Sequence, residues 1–138
     1  MATFNKFDSF VDALCKKVHN LSSDTLKVML TDTAPVRTNT KKADLTEITA
    51  GNGYSAGGTA TTATLSNSSG TEKLVCSDVT FTAAGGAIAQ FRYVVLYNST
   101  ATNGELIGWW DFGSEVNLAS GGTFTVDFDS ANGVLQLA

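Results

Sequence analysis

The chain has 138 residues, 43% hydrophobic and 16% charged, with 13 glycines and a single proline. That length fits one domain able to bury roughly 68% of its unfolded surface without a disulfide or metal staple, and the lone proline and the lack of an apolar run of about 18 residues exclude a collagen-like chain and a membrane-spanning helix. The net charge of −4 is uneven, +1 over residues 1–47 and −5 over residues 48–138, and so acidic a second part excludes a broad nucleic-acid-binding face, which needs clustered basic side chains.

The Met-Ala-Thr-Phe start has no basic segment followed by an apolar one, so no secretory signal is read, and the protein is expected in cytoplasm-like conditions. Asn5 to Asn20 reads as an amphipathic helix, because Phe7, Phe10, Val11, Leu14, Val18 and Leu21 recur along one stripe. Asn5 followed by Asp8 is the expected cap. The polar face mixes Lys6, Asp8, Asp12, Lys16 and Lys17, which fits a helix laid across a sheet better than a membrane-surface helix. Leu26, Val28 and Leu30 then alternate with Thr25, Lys27 and Met29 as a first strand.

Residues 32–58 are extended and turn-rich, with Pro35 near the start and Gly51, Gly53, Gly57 and Gly58 near the end. A segment this long without regular structure is usually a functional arm or binding loop. It is the first candidate for a contact surface, carried by Arg37, Lys41, Lys42 and Tyr54.

From residue 59 to 138 short strands alternate with turn signals, as in a sandwich or barrel. Thr59 to Leu65 is a threonine-rich edge strand. Asn67 to Gly70 is a turn, and Glu72 to Thr82 is a strand with Val75, Val79 and Phe81 on one face. Ala87 to Phe112 forms the central hairpin. Its first arm places Phe91, Tyr93, Val95 and Tyr97 on one face and Arg92, Val94 and Leu96 on the other. The second arm places Leu106, Trp110 and Phe112 one way and Ile107 and Trp109 the other. Both faces are apolar, so the hairpin belongs inside a layered structure. Glu115 to Leu118, Thr123 to Phe128 and Val134 to Leu137 complete the strands, with an Asn132-Gly133 turn before the last. The expected fold is mainly β: one antiparallel β-sandwich or jelly-roll-like barrel with an N-terminal amphipathic α-helix.

Motifs for chemistry are sparse. Gly51-Asn52-Gly53-Tyr54-Ser55-Ala56 matches the letters of a dinucleotide loop, but a β-like stretch follows where a helix must open. Asp127 to Gly133 groups oxygen ligands, yet positions 6 and 12 of a calcium loop would be Asn132 and Ala138. Cys15 and Cys76 lack zinc-ligand spacing and read as buried small hydrophobes. With His19 as the single histidine and no G-x-S-x-G elbow, no nucleophilic triad is assembled. Asp111, Glu115, Asp127 and Asp129 could supply a carboxylate pair, but they read as solvated acids at strand ends. No catalytic residue, metal or cofactor is expected.

MATFNKFDSFVDAL, HNLSSDTLKVMLTDTAP, DLTEITAGNGYSAGG, DVTFTAAGG, FRYVVLYN and IGWWDFGS together resemble a family of small virion proteins of tailed bacteriophages and prophages, encoded near the capsid genes. The likeness covers nearly the whole chain, and its motifs are structural. It implies a capsid decoration, or cement, protein that is made in the bacterial cytoplasm and reinforces the outside of the head. The implied partners are the major capsid protein and further copies of the chain, as a homodimer or homotrimer, with no nucleic acid and no membrane. The alternative is a tail- or fibre-associated β-sandwich in which Tyr54, Trp109 or Trp110 stacks on a host-surface glycan.

Overall fold

The structure, a computed structural model, describes residues 2–138. Ten strands are present among them: β1 (Asn5–Lys6), β2 (Leu26–Thr31), β3 (Thr59–Thr61), β4 (Ala63–Ser68), β5 (Thr71–Cys76), β6 (Val79–Thr82), β7 (Ile88–Asn98), β8 (Leu106–Leu118), β9 (Thr123–Val126) and β10 (Leu135–Leu137). The largest sheet has the order β1-β8-β7-β2-β3, and facing it are a three-stranded sheet, β10-β5-β4, and a two-stranded one, β6-β9. All pairings are antiparallel. The main core lies between these layers, where Val28, Leu30, Phe91, Val94, Leu96 and Ile107 of the large sheet meet Leu74, Cys76, Val79 and Phe81. The expected β-sandwich with one helix is therefore the fold. The barrel form is not, because the large sheet ends in free edges at β1 and β3.

The sandwich turns its corner by splitting two expected strands. Thr59 to Leu65 breaks at Thr62, so β3 borders the large sheet and β4 the small one. Glu72 to Thr82 breaks beside it, at Ser77 and Asp78. The two breaks are tied together: Ser77 N donates to Thr62 O at 2.9 Å and Thr62 N donates to Ser77 Oγ at 2.9 Å. Strands that switch sheets at such corners are a normal device of packed sheets. The break also resets the side-chain parity, so Leu74 and Cys76 face the core before it and Val79 and Phe81 after it, while Val75 does not.

The expected helix is shorter than its apolar stripe. The one α-helix among the described residues, α1, spans Ser9–Cys15. Asn5 and Lys6 instead pair with Trp109 and Gly108 as β1, and the N-cap is Asp8, with no side-chain cap bond. The helix stops because Lys17 adopts a left-handed φ of 63°. Val18 N then donates to Ala13 O at 2.9 Å and Lys17 N to Leu14 O at 3.2 Å, the pairing of a Schellman motif. The stripe is divided accordingly. Phe10 and Leu21 enter the main core, Phe7 enters a second one, and Val11 and Val18 stay 42% and 36% exposed. Cys15, expected to be buried, is exposed, whereas Cys76 is buried.

The central hairpin buries both faces as expected, but bulges change which residues share a face. Leu96 pairs with Gly108 and Tyr97 with Leu106, leaving Ile107 as an extra residue. Its carbonyl accepts from Phe7 N at 3.2 Å. Ile107 consequently lies in the same core as Trp110, and Leu106 with Trp109. Further irregularities around Phe91 place that ring with Val94 and Leu96 rather than with Val95 and Tyr97. The second core, Phe7, Met29, Val95, Tyr97 and Leu106, lies on the outer face of the large sheet, with Leu45 of the arm packed against it. The arm thus covers the outer face around Leu45 and then enters the main core through Ile48 and Tyr54.

Candidate functional site

The arm remains irregular apart from one 3₁₀ turn at Lys42–Asp44, but it is fastened to the body. Its hub is Glu47. One carboxylate oxygen accepts from the Tyr54 hydroxyl at 2.7 Å and from Gly57 N, and the other pairs with Lys42 Nζ at 2.8 Å. The Tyr54 hydroxyl in turn accepts from Leu30 N in β2 at 3.2 Å, and Tyr97 donates to Gly57 O at 2.6 Å. Burial pushes the Glu47 carboxyl up, but the bonds from Lys42, Tyr54 and Gly57 together outweigh it and hold it below its ordinary value. The Tyr54 phenol lies far above its ordinary range, chiefly through burial, and burial raises Tyr97 to about 12.

This arrangement separates the four residues expected on one contact surface. Arg37 is exposed, and its guanidinium grips Asp8 with three hydrogen bonds of 2.8 to 3.1 Å. Lys41 is exposed at an isolated bridge to Glu105. Lys42 and Tyr54 turn inward to Glu47. Tyr54 is corrected outright: at 2% exposure its ring is part of the main core and lies 5.7 Å from Phe81, so it presents no face to a shell or a sugar. Glu47 is the functional-looking residue that the sequence reading passed over. Its signal was an acid, with Asp44 three residues before it, just ahead of the glycine-rich stretch.

His19 is 4% exposed. Asn98 Nδ2 donates to its Nδ1 at 3.1 Å and to Asp24 at 2.6 Å, and Asn98 Oδ1 accepts from the amides of Thr100 and Ala101. The group is a brace between the segment after α1 and the β7–β8 connection. Burial lowers the His19 pKa, partly offset by the charges of Glu105 and Asp24. The Cys76 thiol is raised to about 11 by burial. Among the described residues, no three or more His, Cys, Asp or Glu side chains are grouped to hold a metal ion, and no helix is long and apolar enough to cross a membrane. Of the four acids considered as a pair, Asp111 is bound to Arg92 by bonds of 2.8 and 2.9 Å, and Asp129 accepts from the Ala131 and Asn132 amides of its own turn. Glu115 and Asp127 are exposed.

A cleft of about 250 Å³ lies at the open side of the sandwich, between β8 and β9. Phe4, Trp110, Phe112, Phe124 and Phe128 line it, together with Asp127 and Asp129. Trp110 sits between Phe4 and Phe128, with ring centroids 5.2 and 5.4 Å away, and Phe112 meets Phe124 edge-on at 5.3 Å. A large bulge shapes the wall. Phe91 pairs with Val116 and Tyr93 with Asp111, so Arg92 alone stands opposite Phe112 to Glu115. Asp111 holds the bulge from both sides, accepting from Arg92 and from Gly113 N at 2.8 Å, while Gly113 supplies a φ of +99°. Bulges of this kind re-aim side chains, and here Phe112 is left 53% exposed over the cleft. Trp109 points to the other side, its ring 4.5 Å from Phe7.

No family model, curated protein or solved structure matches the chain.

Proposed function

We propose that the chain is a non-enzymatic virion structural protein that binds the outside of a tailed-phage capsid and stabilises it. The reading begins from the family resemblance of the sequence. The structural observation that supports it is the arm: residues 32–58 are fastened to the body, over the outer face at Leu45 and into the main core at Ile48 and Tyr54, and they display exposed Val36, Arg37 and Lys41 on that support. A protein that reinforces a shell needs a stiff body with an extended surface and little reactive chemistry, and symmetric repetition lets modest contacts add through multivalency. In this reading the partners are the major capsid protein and further copies of the chain, seated as dimers or trimers on capsid symmetry axes.

The exposed cations provide the test. Deleting the arm would remove Glu47 and much of its network and confound binding with unfolding, so point changes are preferable. Lys41→Glu combined with Arg37→Gln, which removes the Arg37 charge without setting a second carboxylate against Asp8, should keep the parent amide spectrum and weaken binding to capsids by about tenfold, as expected for altered rim charges. Unchanged capsid binding would move the contact surface away from the arm.

A further inference from the structure

We infer that the aromatic cleft between β8 and β9 is a receptor for a cationic side chain, lysine or arginine, presented by an extended segment of a partner protein. The inference goes beyond the virion reading and does not depend on it.

The walls of the cleft are π faces and edges from Phe4, Trp110, Phe112, Phe124 and Phe128, and two acids, Asp127 and Asp129, also line it, Asp127 being shared with the neighbouring hollow beside Asp78. No lysine or arginine lines it. Asp127 makes no ion pair and accepts no hydrogen bond among the described residues, unlike Asp111, which is neutralised by Arg92. The free charge at the cleft is therefore negative, in the part of the chain that carries −5 over residues 48–138. Aromatic faces attract a cation through their quadrupoles, most strongly for tryptophan. Long basic side chains lay an apolar stem on such surfaces and carry the charge at the tip. A volume of about 250 Å³ is small for a whole ligand but suits one inserted side chain.

The surroundings favour delivery by an extended segment. β9 has only one sheet neighbour, β6, and the two-residue β1 covers β8 only at Gly108 and Trp109. Two strand edges therefore flank the cleft, where an extended chain can lie alongside them. The bulge adds an independent sign of a built site, since Asp111, Arg92 and Gly113 together hold a large apolar ring in solvent over the opening. A neutral sugar would need several convergent donors and acceptors, and the lining supplies few beyond Thr125, Asp127 and Asp129, the last engaged by its own turn.

The test is an NMR titration of the full-length chain with n-butylguanidinium, an arginine side-chain mimic, beside its neutral isostere n-butylurea and methyl β-glucoside. Saturable shifts of the Trp110 indole N–H and the Gly113 amide are expected with n-butylguanidinium, with an association constant at least about fivefold above that of n-butylurea and reduced by added salt. Asp127→Asn should weaken the cation about fivefold, and Phe112→Ala about two- to fivefold, with both variants keeping the parent amide spectrum elsewhere. The inference is overturned by equal binding of n-butylurea, by an unchanged constant in Asp127→Asn, by preferential binding of the glucoside, or by the absence of any saturable shift with the cation.

Discussion

At the scale of single residues, the arm is held by a small number of polar atoms that leave water together. Tyr54 is the clearest case, because its hydroxyl both accepts from Leu30 N and donates to Glu47. Tyr54→Phe keeps the ring against Phe81 but strands a buried amide and part of a buried carboxylate. The expected loss is about 1–3 kcal/mol, read from the denaturant midpoint. Acid should act on this region in two stages. The His19 pKa is lowered from 6.5 in the folded protein, so the unfolded chain binds the proton first and stability falls as the pH drops below about 6.5, by at most ~1.4 kcal/mol per pH unit for one proton. The Glu47 pKa is lowered from 4.5, so its contribution is fully present above that value and is lost as the pH falls through the folded-state value. In stability measured against pH, His19→Gln should flatten the first limb, and Glu47→Gln should reduce the second, which Asp8, Asp44, Asp111 and Asp129, also held low by their hydrogen bonds, share. An unchanged first limb in His19→Gln, or an undiminished second limb in Glu47→Gln, would remove that group from the account of acid sensitivity.

At the scale of elements, glycine and backbone geometry decide what side-chain pattern alone leaves open. A Cβ on Gly108 would stand 2.1 Å from the Phe4 ring and 2.8 Å from Asn5 O. Gly108→Ala should therefore push β1 off β8, with faster amide exchange at Asn5 and Lys6 and a loss of about 1–3 kcal/mol from overpacking. Unchanged exchange there would mean that β1 contributes little to the edge. The same scale shows what the sequence made legible. Alternation found β2, the hairpin and the turn-bounded strands, because burial on one or both faces leaves a period of two. It could not find the bulges at Ile107 and Phe112 to Glu115, since one inserted residue reverses every facing after it without altering composition. The helix was overextended because Phe7, Leu14 and Leu21 keep a helical spacing while serving different layers, and Lys17 ends the helix without the glycine that usually marks such a stop. The aromatic cleft had only a trace in the sequence, the Trp109-Trp110-Asp111-Phe112 run and the alternating Phe124, Val126 and Phe128. The bulge and the gap between sheets that combine them are tertiary features.

At the scale of the whole molecule, three parts share the work. The two small sheets and the inner face of the large sheet form the main core, the arm covers the outer face at Leu45 and enters that core at Ile48 and Tyr54, and the open side holds the aromatic cleft. The hairpin of β7 and β8 runs through all of it and serves as the stiff member. The arm, expected from the sequence to be an extended, turn-rich contact segment, is part of the packed body, and what it offers outward is its exposed rim at Val36, Arg37 and Lys41. Such a body suits repetitive attachment to a surface, which is the central claim made for it. Electron cryo-imaging of virus particles assembled with and without this chain tests that claim most directly. Compact β-sandwich density on the outer head surface, present only in particles that contain the chain, is the predicted result. An unchanged head, with the density on the tail or nowhere on the particle, would contradict it.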